Sequence, residues 1–186
     1  MSEAPFGPFI EALKSYNEGV NIYSKSAYDR LDFHIQDSLI LASLITKSDA
    51  RVVDFGSGAG LPSFFIAHQN PAITVVSVES KEKKRVFLRQ LKEEYGLTNW
   101  QIFDGDIKQF LDRNRHPIDF LTAKAFGSVS KIMSYFNVKH SKPSCLLLPI
   151  SELQSKDVSL KGLSFKSATV ISESLNGICY YYASYS

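Results

Sequence analysis

Three glycines and two acids are spaced to build a ligand crevice. Gly56, Gly58 and Gly60 recur every second residue after Asp54, in the pattern Asp-x-Gly-x-Gly-x-Gly. Such backbone turns sharply and lets a ligand come close. Ser57 and Leu61 complete the turn, and the helix after Pro62 offers free N–H groups and its positive dipole end. The dinucleotide fingerprint Gly-x-Gly-x-x-Gly does not fit, because the third glycine comes one residue early. Glu79 closes a β-rich run over 73–79. It follows the glycines by roughly 20 residues, the spacing at which an acid meets ribose hydroxyls. A carboxylate only accepts, and can take both hydroxyls. The alternative is a turn that merely packs a helix on a sheet, with Glu79 facing solvent.

Turn, strand and acid together resemble the first motif of the class I S-adenosylmethionine-dependent methyltransferases. Further polar residues gather at the same strand ends. Asp106 follows the third strand, where its carboxylate could accept from an adenine amino group. It could equally cap the helix beginning at Ile107, and one residue can do both. Lys124 lies in the turn Ala123-Lys124-Ala125-Phe126. Phe126 suits core packing slightly better than stacking on a base. Lys81, Arg85, Arg89 and Lys92 repeat at helical spacing beside Lys83 and Lys84, over a buried face of Phe87, Leu88, Leu91 and Tyr95. This stripe reads as a phosphate contact or, in preference, as a solvated face paired with Glu82, Glu93 and Glu94. His34 and Asp37 form an i, i+3 pair that reads as a helix-surface or packing pair rather than a catalytic one. Cys145 and Cys179 have no metal-ligand spacing and read as buried apolar residues.

The elements that must position these groups alternate. An amphipathic piece over 9–13 and a polar stretch over 21–26 precede a helical pattern over 28–45, expected to break at Gln36-Asp37-Ser38. Strands are expected at 51–55, 73–79, 100–103, 118–123 and 144–150. Helices are expected at 62–69, 81–95, 107–112 and 129–138, with Gly96 closing the second. Two long strands, 163–171 and 177–185, flank Asn176-Gly177, a hairpin signal; Tyr180, Tyr181 and Tyr182 then alternate faces. This is an α/β fold with a Rossmann-like, mostly parallel sheet, one antiparallel strand and a closing hairpin. Residues 1–47 form an N-terminal helical extension and 48–186 the main domain. In an open sheet of this kind the ligand lies outside the strands' carboxyl ends.

A chain of 186 residues has room for one sizeable core. A net charge of +2 permits a nucleic-acid partner without demanding one. No apolar run approaches a membrane span, and the first residues lack a signal-peptide pattern. A cytosolic protein follows, with a monomer as the expected form.

The motifs then converge. His34-Ile-Gln-Asp37-Ser38, Asp54-Phe-Gly56-Ser57-Gly58-Ala-Gly60-Leu61-Pro62, Glu79-Ser80-x-x-Lys83-Lys84-x-x-Phe87-Leu88, Tyr95-Gly96-Leu97-x-Asn99 and Ala123-Lys124-Ala125-Phe126 occur in this order. Together they resemble the bacterial small-subunit ribosomal RNA guanine-7 methyltransferase family (RsmG, or GidB), over about 21–150. The resemblance implies S-adenosylmethionine as methyl donor and ribosomal RNA or the small ribosomal subunit as substrate. It implies a cofactor site of Asp54, Gly56, Ser57, Gly58, Gly60, Leu61, Glu79, Ser80, Asp106, Ile107 and Lys124, without a metal. Lys124 is the catalytic candidate, orienting the base or a phosphate. The position-7 nitrogen of guanine has a lone pair and no proton, so no general base is required.

The chain also departs from the family. Ser63 stands where a glycine is usual and Lys124 where an arginine is usual. Leu148-Pro149-Ile150-Ser151 replaces a Lys-Gly pair, and Gly105-Asp106 replaces an arginine. Two other readings follow from these departures: a class I methyltransferase for a small-molecule or protein acceptor, and a non-catalytic cofactor-binding module associated with the ribosome.

Overall fold

In a computed structural model the described residues are 6–136, 140, 142–151, 167–175 and 178–184. Helix α1 (Gly7–Gly19) starts with proline in its first turn, as its fixed φ allows. Phe9, Leu13 and Asn17 recur every four residues and bury one face. A 3-10 helix (Lys25–Arg30) leads into α2 (Leu31–Ser43).

The expected break in this helix does not occur. Ser38 Oγ donates to the His34 carbonyl one turn back at 2.7 Å, a back-bond that a helix accommodates, and Asp37 is ion-paired (below). The helical pattern over 28–45 is instead divided at Arg30 and ends at Ser43.

Strand and helix then alternate: β1 (Arg51–Phe55), α3 (Ser63–Gln69), β2 (Thr74–Glu79), α4 (Glu82–Glu94), β3 (Trp100–Asp104), α5 (Ile107–Arg113), β4 (Phe120–Thr122), α6 (Val129–Met133) and β5 (Cys145–Ser151). Two strands follow, β6 (Ser167–Leu175) and β7 (Ile178–Ser184). Among the described residues the strands form one sheet in the order β3-β2-β1-β4-β5-β7-β6. The first five are parallel, and β7 runs antiparallel to both β5 and β6. The turn at Asn176-Gly177, residues 163–166 and the side chains of Cys179 and Tyr180 to Tyr182 lie outside the described residues.

Alternation along the strands sets the layers. Val52, Val75 and Leu147 enter one apolar cluster with residues of α1 to α4. Val53, Val76, Leu146 and Leu148 enter the other, with residues of α5 and α6. Both faces are covered, as a parallel sheet requires. The chain leaves β1 for β2 and β3 on one side and returns to β4 on the other. A crevice opens where the order reverses, at the strands' carboxyl ends.

Candidate functional site

The three glycines do three different jobs. At Gly56 (φ +74) a Cβ would stand 2.7 Å from the Phe126 ring, so the absent side chain is what lets Phe126 lie against the turn. Gly58 donates its N–H to Glu79 Oε2 at 3.0 Å. Gly60 lies where a Cβ would be 3.3 Å from Leu88 and Phe64, so it allows α3 and α4 to approach each other.

Glu79 is 5% exposed. Its second oxygen accepts the Lys81 N–H at 2.8 Å. Two backbone donors thus fix the carboxylate at the end of β2, and each oxygen keeps further acceptor capacity. Arg85 supports this rim from beneath. It donates to the carbonyls of Glu79 and Ser80 at 3.0 and 2.6 Å and pairs with Asp104 at 2.7 Å and with Glu82. The basic stripe therefore divides. Arg85 is a buried tie between β2 and β3, Arg89 reaches Glu82 and Asp104 at 3.5 Å, and Lys81 and Lys84 turn to the crevice. Among the described residues the stripe's pairs are with Glu82 and Asp104 rather than Glu93 or Glu94.

The crevice has a volume of ≈ 540 Å³. Of the residues singled out by spacing and resemblance, Gly56, Glu79, Ser80, Asp106, Ile107 and Lys124 line it. Asp54, Ser57 and Leu61 are buried beneath the turn. Asp106 caps α5: its carboxylate accepts the Gln109 N–H at 2.8 Å while Gln109 Oε1 accepts the Asp106 N–H at 3.0 Å. Phe126 does two things at once. It packs on the apolar cluster beneath and faces the crevice, with Lys131 Nζ 4.8 Å from its ring centre. Tyr135, Lys84 and Lys108 also line the crevice. Spacing gave no signal for Tyr135, because it lies in the turn after α6.

Lys124 is the link that sequence spacing did not show. Its Nζ lies 2.6 Å from Asp37 Oδ2 and donates to the His34 carbonyl at 3.1 Å. Asp37 is 1% exposed. The i, i+3 pair of α2 thus anchors the β4 loop: Asp37 by its side chain and His34 by its backbone. Burial lowers the Lys124 pKa, and Asp37 opposes that fall. Ala125, held at φ +53, sends Lys124 toward α2 and Phe126 toward Gly56. Asp54 lies within electrostatic reach of Lys124 and is wholly buried. Burial pushes its pKa up to about 7. Among the described residues no hydrogen bond of good geometry reaches either carboxylate oxygen, although the Ser57 and Ser63 hydroxyls lie close enough to ease the charged form.

The family described as rRNA small subunit methyltransferase G (GidB) matches residues 3–172. The Ribosomal RNA small subunit methyltransferase G of Lactococcus lactis subsp. lactis is 31% identical over 82% of this chain and 66% of its own. The protein of that name from Brachyspira hyodysenteriae is 31% identical over 78% and 70%. The chain thus spans about two thirds of the length of such relatives. A methyltransferase from Geobacter sulfurreducens shares the fold, with a TM-score of 0.69 at 18% identity, over 100% of this chain and 91% of that one.

Proposed function

This chain belongs to the rRNA small subunit methyltransferase G family, and we propose that it transfers a methyl group from S-adenosylmethionine to the position-7 nitrogen of a guanine in small-subunit ribosomal RNA. The observation that carries the reading is Glu79: a buried carboxylate, fixed by the Gly58 and Lys81 N–H groups, facing a crevice at the switch point.

The residues present fit that donor. Glu79 has acceptor capacity left for two ribose hydroxyls. Gly56 presents backbone without a Cβ, and Asp106 and Ile107 present a capped helix start for the base. Asp54, Ser57, Gly60 and Leu61 hold the shape of the turn. Bound there, S-adenosylmethionine supplies a methyl group on a sulfonium, open to displacement by a nitrogen lone pair.

The acceptor nitrogen has no proton to lose, so the chain needs no base. Its work is alignment and exclusion of water, which contributes about 7–11 kcal/mol at best. Lys124 has three N–H donors. Among the described residues Asp37 and His34 take two, and the third is left to orient the base or a phosphate. Ribosomal RNA as substrate puts this work in the cytoplasm. We assign residues 1–47 to an extension that positions Lys124, and 48–186 to the methyltransferase domain.

The test is calorimetric titration with S-adenosylhomocysteine, then tritium transfer from labelled S-adenosylmethionine to small ribosomal subunits lacking 7-methylguanosine. Binding with transfer is expected. Binding without transfer to the subunits would defeat the assignment of substrate. Glu79→Ala should weaken the titration by about 1–3 kcal/mol, the scale of a lost charged hydrogen bond. An unchanged isotherm would remove Glu79 from the ribose.

A further inference from the structure

Beside the crevice the N-terminal elements form a second groove, of ≈ 730 Å³, lined by residues 17–26 and Lys84. Lys84 lines the crevice too, so one side chain borders both cavities. Tyr23, Lys25 and Lys84 line the groove itself, and further rings and cations adjoin Tyr23. The Tyr23 and Tyr28 rings stack with centroids 6.1 Å apart and planes 8° from parallel. Lys14 Nζ lies 5.6 Å from the Tyr28 ring centre, and the Arg30 guanidinium 5.4 Å from that of Phe33. Lys14, Lys25 and Arg30 are exposed, and the rings are half-buried.

The stacked pair is held from beneath by a buried anchor. The Asn17 amide donates to Tyr28 Oη at 2.6 Å and to the Tyr23 carbonyl at 2.7 Å. Its Oδ1 accepts the N–H groups of Ile22 and Tyr23 at 2.8 and 3.0 Å. The patch also runs on into the catalytic side. His34 meets Tyr23 edge-on at 6.2 Å. Burial lowers the His34 pKa, the charges of Lys124 and Arg30 lower it further, and Asp37 opposes the fall. Glu18 is the acid that lines the groove, against Lys25 and Lys84.

We infer that this surface is a stacking platform for single-stranded RNA, holding nucleotides that flank the methylated base. The inference rests on the ribosomal RNA reading above. Every base has a π-face, so rings take successive bases regardless of sequence, while cations follow the phosphates. Paired bases in a helix cannot offer those faces, so the partner is an unpaired strand. Lys14 is a flexible side chain that can exchange the Tyr28 ring for a phosphate. The rigid parts, the rings on Asn17, are where pre-organisation counts.

The experiment is fluorescence anisotropy of the full chain with a labelled, mixed-sequence single-stranded RNA of about 12 nucleotides, within the usual span of such sites. Each variant is titrated in parallel with S-adenosylhomocysteine. Lys25→Glu with Arg30→Glu should weaken RNA binding tenfold or more. It should also flatten the log–log salt dependence by about 0.7 per lost phosphate contact. Tyr23→Ser should weaken RNA binding similarly, and Tyr23→Phe should not. S-adenosylhomocysteine should bind all of them as it binds the unaltered chain. Unchanged RNA affinity and salt slope in variants that still bind S-adenosylhomocysteine would overturn the platform. If the unaltered chain methylates small subunits, that failure is the platform's alone. An unaltered chain that takes S-adenosylhomocysteine yet neither holds the strand nor methylates subunits overturns the ribosomal RNA reading as well.

Discussion

Asp54 and Glu79 lie near the carboxyl ends of neighbouring strands, yet their surroundings treat them oppositely. Glu79 receives two backbone N–H groups, whereas Asp54 is wholly buried with, among the described residues, no well-formed hydrogen bond to its carboxylate. Burial raises the Asp54 pKa from its ordinary 3.8 to about 7. Between those values the folded chain binds a proton that the unfolded chain has lost, so stability falls as pH rises through that window. The loss is on the order of 4 kcal/mol by pH 7, at about 1.36 kcal/mol per pH unit. Urea unfolding at a series of pH values should show this slope, and Asp54→Asn should flatten it. A variant with the same slope as the unaltered chain would assign the pH dependence elsewhere. Glu79 was legible in the sequence because strand and turn fix its spacing. The state of Asp54 was not, because burial of a carboxylate depends on what the rest of the fold places over it.

At the scale of elements, the bridge between α2 and the β4 loop decides where Lys124 points. Removing one partner of a buried pair costs about 3–5 kcal/mol, because the other charge remains buried and uncompensated. Asp37→Ala should therefore destabilise by that amount in urea unfolding. Asp37→Leu combined with Lys124→Met should recover much of the stability while transfer to RNA stays lost. Recovered transfer in the double variant would free Lys124 from any role in the reaction. The pair could not be read beforehand: Asp37 and Lys124 are far apart in the chain, and i, i+3 spacing pointed Asp37 at His34 instead. Asp106 shows the converse. Its capping role was read correctly from type and position, and Gln109 completes the capping box. Asp106→Ala should cost about 1 kcal/mol as a lost cap. Asp106→Ser keeps a cap, so it separates capping from cofactor binding. Restored stability with weakened S-adenosylhomocysteine binding would show a cofactor role for the carboxylate, and full restoration of both would limit Asp106 to capping.

Across the whole molecule, the βα alternation was readable because β-rich runs alternate with helical stretches from 51 to 151, with stops at Asn70-Pro71 and Gly96. The first fifty residues were harder. Their helix α1 extends to Gly19, well beyond the short amphipathic piece over 9–13, since the polar stretch Lys14 to Gly19 carries few apolar residues to mark a period. What makes it a helix is tertiary. Phe9 stacks on Phe64 at 5.0 Å and meets Phe65 edge-on at 5.0 Å, and Leu13 enters the same apolar cluster as β1 and β2. An extension that shares a core with the sheet should not unfold separately from it. Phe9→Ala removes a wholly buried ring from that shared cluster and should cost about 3–5 kcal/mol. Trp100, the single tryptophan, belongs to the same cluster. Trp100 fluorescence and far-UV circular dichroism should therefore shift together to a lower urea midpoint, with one transition in each. If Trp100 kept its original midpoint while helical signal was lost early, the extension would be an independent unit, and its grip on Lys124 could be released without opening the sheet.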